Sequence, residues 1–140
     1  MRVSPLLAAA ALAAALAGCG GIVSPDLFLV QRSGSTPGAH LTLLINEEGG
    51  LRCNGGPQLK LSDPQIVQAR ALQEELKTLA QAHTQLAPRP GSVLRYRIRD
   101  ENGSVAFADN SPRQPKVLRN MALFVLQVAQ TVCRLPQQAA

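Results

Sequence analysis

The stretch VLRYRIRDENGSVAFAD, Val93–Asp109, decides the fold. Leu94, Tyr96 and Ile98 alternate with Arg95, Arg97 and Arg99, the period of two that a strand with one buried face requires. Asn102-Gly103 is a dipeptide that tight hairpins favour, because a type I′ turn needs positive φ at both central residues. Taking these two as the loop pairs Glu101 with Ser104, Ile98 with Phe107 and Arg97 with Ala108. One face then carries Leu94, Tyr96, Ile98, Val105 and Phe107, and the other carries Arg95, Arg97, Arg99, Ala106 and Ala108. This sorting predicts an antiparallel hairpin with one face in a core and a row of guanidiniums on the other.

Upstream, Asp26–Arg32 (DLFLVQR) reads as a strand, apolar with a charged end, and His40–Asn46 (HLTLLIN) as a second, where the alternation of Leu41, Leu43 and Ile45 fixes a buried face. The turn residues Ser33–Gly38 between them predict a first hairpin. Glu47–Gly50 turns the chain, Leu51–Cys53 returns as a short strand, Asn54–Pro57 turns again, and Gln58–Leu61 is a further short strand. Ser62-Asp63-Pro64-Gln65 then has the form of a capping box and starts a helix to about Gln81, with Ile66, Ala69, Leu72, Leu76, Leu79 and Ala80 as its apolar stripe. Beyond a loop at His83–Gly91 and the central hairpin, Ser111-Pro112-Arg113-Gln114 reads as a second capping box. It predicts a helix to about Cys133 with Leu118, Met121, Val125, Val128 and Val132 on one side, ended before Pro136. The order strands–helix–strands–helix predicts an α+β domain over residues 27–135, an antiparallel sheet of two hairpin groups with two amphipathic helices on one face, and a flexible tail at 136–140.

The chain opens differently. Met1 and Arg2 precede an uncharged, Ala- and Leu-rich run from Val3 to Ala17, a signal-peptide length too short to span a bilayer. Leu16-Ala17-Gly18-Cys19 follows and resembles the bacterial lipobox. The resemblance implies a signal peptide at 1–18, lipidation (diacylglycerol and an acyl chain such as palmitate) at Cys19, and a tether at 19–26. Each buried methylene adds about 0.8 kcal/mol, so two or three chains anchor stably. The expected location is the extracytoplasmic side of the cell envelope, on the plasma-membrane outer face or the outer membrane.

Two cysteines remain after such a cut, Cys53 and Cys133. In an oxidising compartment an even pair reads as one disulfide. The formal charge of +5 rests on fourteen Lys and Arg against nine Asp and Glu, with no Trp and three Phe. No aromatic shares the arginine face, since Tyr96 falls on the other side of the strand, and the expected location is outside the cell, which together argue against nucleic acid. His40 and His83 lack metal-ligand spacing, Glu47-Glu48 and Glu74-Glu75 are neighbours that point apart, and no G-x-S-x-G is present. The expectation is no enzyme, no metal and no cofactor.

The ladder Arg95, Arg97, Arg99 is the unusual feature. It is either a solvated sheet face or a grip on carboxylate or phosphate, since guanidiniums bind both through paired hydrogen bonds. LFLVQRSGSTPG (Leu27–Gly38) leading into HLTLLIN, with LRYRIRDENGSVAFADNSPRQP (Leu94–Pro115) leading into a helix, resembles emfourin-like domains, a family named for an inhibitor of thermolysin-type metalloproteases. The resemblance implies a non-enzymatic binding or inhibitor module with an extracytoplasmic protein partner, and Arg32, Ser33, Gly34 and the arginine ladder are then the contact residues. The chain departs from that pattern in its lipobox, its cysteine pair, the short strands between Leu51 and Leu61 and Ser35-Thr36-Pro37 in the first turn. The alternative is an envelope lipoprotein that binds anionic lipid or wall polymer through Arg95, Arg97 and Arg99.

Overall fold

The computed structural model describes residues 25–136. The expectations for residues 1–24, Cys19 among them, and for residues 137–140 lie outside that range.

The chain runs β1 (Asp26–Gly34), β2 (Leu41–Asn46), β3 (Gly50–Cys53), β4 (Gln58–Lys60), α1 (Asp63–Gln81), β5 (Leu94–Asp100), β6 (Gly103–Ala108) and α2 (Lys116–Thr131). The strands form one antiparallel sheet in the order β4-β3-β2-β1-β5-β6. The two hairpin groups therefore join through β1 and β5, where Val30 faces Ile98 and Arg32 faces Tyr96. The fold is α+β, as the alternation and the order of elements predict.

The period-two pattern explains which face is buried. Phe28, Val30, Leu41, Leu43, Ile45, Tyr96, Ile98, Val105 and Phe107 all lie on one side of the pleat and form one core with both helices. An irregularity between Asp26 and Phe28 inserts Leu27, so two successive residues enter the core. Phe124 meets Phe28 edge-on at 6.4 Å between ring centroids, and Tyr96 stacks on Phe107 at 4.9 Å.

Helix α1 begins where the capping box places it: the Ser62 backbone N–H donates to the Gln65 side-chain oxygen at 2.9 Å. It crosses one end of the sheet. Near its start, a Cβ on Gly49 would sit 2.4 Å from Ile66; near its finish, a Cβ on Gly103 would sit 2.2 Å from the Ala80 carbonyl oxygen. Gly49 lies in the β2–β3 turn and Gly103 opens β6 directly after the β5–β6 turn, so the helix spans from one turn to the other. Cys53 and Cys133 are joined, with Cα atoms 6.0 Å apart, and tie the end of α2 to β3.

Two expectations need correction. The first is the helix start at Ser111. Helix α2 opens only at Lys116, with Pro115 as its cap. The Ser111 hydroxyl instead accepts from the Ala108 N–H at 2.9 Å and donates to the Leu86 carbonyl at 3.2 Å. The Gln114 amide donates to the Ala108 carbonyl, and Arg113 adopts a φ of 55°. The residue before a proline avoids helical geometry, so Pro115 holds Gln114 out of the helix and frees both side chains to close the end of β6. The second correction is the register of the central hairpin. Asp100 pairs with Gly103, Ile98 with Val105 and Arg97 with Ala106, so the turn is Glu101-Asn102. The Asp100 carboxylate accepts from the N–H groups of Asn102 (2.8 Å) and Gly103 (3.1 Å), a side-chain-stabilised turn that displaces Asn102-Gly103 as the loop.

Candidate functional site

The helices cover one face of the sheet and leave the other open. On the open face each strand contributes alternate residues. Arg95, Arg97 and Arg99 come from β5, and Ser33, Gln31 and Leu29 stand beside them on β1. Ala108, Ala106 and Ser104 stand beside them on β6. All three arginines are exposed. Among the described residues none of the three forms an ion pair or a side-chain hydrogen bond. Alternate residues of a strand lie about 6.8 Å apart, so the ladder presents permanent positive charges at that interval.

Arg52 joins this face across the sheet. It faces Leu44, which faces Leu29, which faces Arg99, and its guanidinium donates to the Gly56 carbonyl at 3.2 Å. Its alternation with the buried Leu51 was the available signal. A second element was not legible. Residues 84–86 run beside β6: the Ala106 N–H donates to Thr84 and the Leu86 N–H donates to Ala106. The segment forms a parallel bridge to β6, and Pro88 and Pro90 just after it mark the stretch in sequence only as loop.

These pieces create two shallow hollows on the open face. One of about 310 Å³ is lined by Gln31, Ser33, Arg95, Arg97 and Ala106, with Arg32 and Tyr96, both nearly fully buried, at its floor. The other, of about 360 Å³, lies between Gln85–Pro88 and the pair Arg95 and Ala108. No histidine, carboxylate or thiol lines either. A third hollow at the far end of the ladder is different, since Arg99 there shares the lining with Asp26, Asp100 and Glu101.

Comparisons with protein-family models, with curated proteins and with solved structures found no match.

The contact residues expected in the first turn divide. Ser33 is exposed beside Arg95. Gly34 is half-buried, and a Cβ there would sit 2.0 Å from the Val93 carbonyl oxygen, so its lack of side chain serves strand packing. Arg32 is overturned as a surface contact. It is 3% exposed and points into the helix-covered side between Leu41 and Tyr96. Its Nε donates to the Ala39 carbonyl at 2.9 Å and its Nη2 to the Gly38 carbonyl at 3.2 Å, while Nη1 is buried with no hydrogen-bond partner. Burial pushes the Arg32 pKa down, and the neighbouring Tyr96 hydroxyl pushes it partly back. Burial likewise raises the Tyr96 pKa, opposed by Arg32 and reinforced by Asp109. The parity of β1 puts position 32 in phase with Phe28 and Val30; only the charge of the residue argued for the surface.

His40 and His83 are both exposed. Among the described residues no three of His, Cys, Asp and Glu gather as a metal site. No helix there is long and apolar enough to cross a membrane.

Proposed function

We propose that this protein is a non-enzymatic binding domain, lipid-anchored through Cys19 on the extracytoplasmic side of a bacterial envelope, that holds an anionic partner on the open face of its sheet. The partner is anionic lipid or wall polymer. The observation that carries this reading is the row Arg95, Arg97, Arg99, exposed and without carboxylate partners on the face the helices leave bare. A guanidinium in that position keeps its charge and its donors for a ligand. What supports binding over catalysis is the site's composition: no histidine, carboxylate or thiol lines the hollows beside Arg95 and Arg97, and the Tyr96 ring that also reaches them is largely buried. What supports anchoring is the lipobox at Leu16–Cys19. The inhibitor role implied by the emfourin-like resemblance loses Arg32, which faces inward, and keeps Ser33 alone as an exposed side chain of its turn motif.

The test is retention of the full chain on immobilised polyphosphate, against Arg95→Gln/Arg97→Gln/Arg99→Gln. The wild type should bind at low salt and elute well before 1 M, where the screening length falls to about 3 Å. The triple variant should flow through with an unchanged unfolding midpoint. Equal retention of the two proteins would overturn the reading. Stoichiometric inhibition of a thermolysin-type metalloprotease that survives 1 M salt would replace it with a protein partner.

A further inference from the structure

We infer that the open face is a groove for a linear phosphodiester polymer, seated at Arg95 and Arg97 on the end of the domain that points away from its own membrane. The inference rests on the anchored, anion-binding reading proposed above and decides between its two ligand sources.

The groove follows from side-chain length. Arg95 and Arg97 stand on β5, the short Ala106 and Ala108 lie next to them on β6, and Gln85–Pro88 rises beyond. The two hollows share Arg95, Tyr96 and Ala106, so they form one trough with guanidiniums along one side. The β6 backbone at Ala106 is already bonded to residues 84 and 86, so an extended peptide finds no free strand edge there. A phosphodiester chain needs none. It presents two non-bridging oxygens per repeat to a guanidinium, and the arginine interval of about 6.8 Å admits one anionic group per arginine.

The direction follows from charge. At the end where β1 begins lie Asp26, Glu47 and Glu48 in the β2–β3 turn, and Asp100 and Glu101 at the β5–β6 turn, which outnumber Lys60, Arg70 and Arg99 there. At the other end, among the described residues, lie Arg89, Arg95 and Arg113, and the Asp109 carboxylate there accepts from the Ser92 hydroxyl at 2.8 Å and the Val93 N–H at 3.2 Å. The chain enters the domain at the acidic end. Seven residue steps lead from Cys19 to Asp26, a reach of at most about 25 Å, which is less than the span of about 27 Å over the eight steps of β1. An anionic leaflet repels the end that the tether holds near it, and the basic end stands outward, where polymer rather than lipid meets it. Arg99, at the acidic end among Asp26, Asp100 and Glu101, is the least available of the ladder.

The test places the full chain in nanodiscs containing phosphatidylglycerol and reads arginine modification by phenylglyoxal with mass spectrometry, with and without a polyglycerol-phosphate oligomer. Arg95 and Arg97 should react freely in the discs alone and be protected by the oligomer, while Arg70 and Arg119 on the helices stay unchanged. Arg95→Gln, read at Arg97, and Arg97→Gln, read at Arg95, should each raise the half-protecting concentration by about tenfold or more, the effect of losing charge-assisted hydrogen bonds; Arg99→Gln, read at Arg95 and Arg97, should raise it less than about threefold. Protection by the discs without oligomer would assign the face to the membrane and overturn the inference while keeping the anion-binding function. Equal protection by a uronate polymer would overturn the phosphodiester assignment. No protection by any polyanion would overturn both.

Discussion

Replacing Arg32 separates a structural guanidinium from a binding one. In Arg32→Ala, the buried Ala39 carbonyl loses its donor at 2.9 Å and the Gly38 carbonyl loses one at 3.2 Å. Ala39 is fully buried, so water does not substitute. Leaving that acceptor unsatisfied costs about 1–3 kcal/mol. Removing the methylene stem from between Leu41 and Tyr96 adds about 1–2 kcal/mol of lost apolar burial. The total is about 3 kcal/mol. Arg32→Met keeps the stem and loses the same donors, but it also removes a cation that is buried without a carboxylate and has one nitrogen unpartnered. Relief of that desolvation offsets part of the loss, so Met should cost about 1–2 kcal/mol. The assay is urea unfolding at neutral pH, with equal m-values required for the comparison. Hydrogen exchange should show the Ala39 N–H, bonded to the Thr36 carbonyl, opening in both variants. Polyphosphate retention should not change. A cost under about 1 kcal/mol for Arg32→Ala would refute the anchored geometry, given the usual price of an orphaned buried acceptor. Loss of retention as large as that of the ladder variant would return Arg32 to the contact surface.

The disulfide closes a separation of 80 residues, and the chain-entropy model assigns such a loop about 4.5 kcal/mol with measured values nearer 2–4. Cys53→Ser/Cys133→Ser should lower stability within that range by denaturant unfolding, and a change below about 1 kcal/mol would show that the bridge adds little constraint. Gly103→Ala should destabilise by about 2–4 kcal/mol, because the new Cβ meets the Ala80 carbonyl at a φ of 147°, whereas Gly55→Ala, with nothing within 4 Å, should cost only the about 1 kcal/mol of its left-handed backbone. Equal costs would place the α1 terminus elsewhere. Alkali should unfold the domain through Tyr96. Its folded pKa lies above the ordinary 10.0, so the unfolded chain releases the proton first and stability falls as pH rises past that value. Tyr96→Phe should flatten this decline in unfolding free energy measured from neutral to strongly alkaline pH, and an unchanged slope would remove Tyr96 as its source.

Much of this fold was legible because its strands have one wet face. Where Leu41, Leu43 and Ile45 alternate with Thr42 and Leu44, parity alone decides what enters the core. The Ser62 capping box was legible because a helix start is a local event, settled within four residues. The identical-looking Ser111 box failed because its side chains had partners farther off, the ends of β6 and the Leu86 carbonyl. Arg95, Arg97 and Arg99 were legible as a set for the same reason of parity. The trough beside them was not, since its other wall comes from residues whose position is fixed only by pairing with Ala106.

The hairpin register shows where such reasoning meets its physical limit. Side chains on a strand repeat every two residues, so sliding one strand by two positions preserves every inside and outside assignment. Pairing Arg97 with Ala108 or with Ala106 sorts apolar from charged equally well. The choice falls to the turn, and there two local chemistries compete: the positive-φ preference of Asn102-Gly103 and the capacity of Asp100 to accept from the next N–H groups. The tertiary fold favours the second. A glycine is needed at position 103 because the Ala80 carbonyl at the end of α1 occupies the space of a Cβ. The same Asn-Gly signal is thus explained by the end of a helix at Ala80, 23 residues upstream of Gly103, rather than by the turn it announces. The register also sets the site. It puts Ala106, rather than Ala108, beside Arg97 and brings Ala108 beside Arg95, which aligns the small residues with the exposed guanidiniums and opens the trough between them.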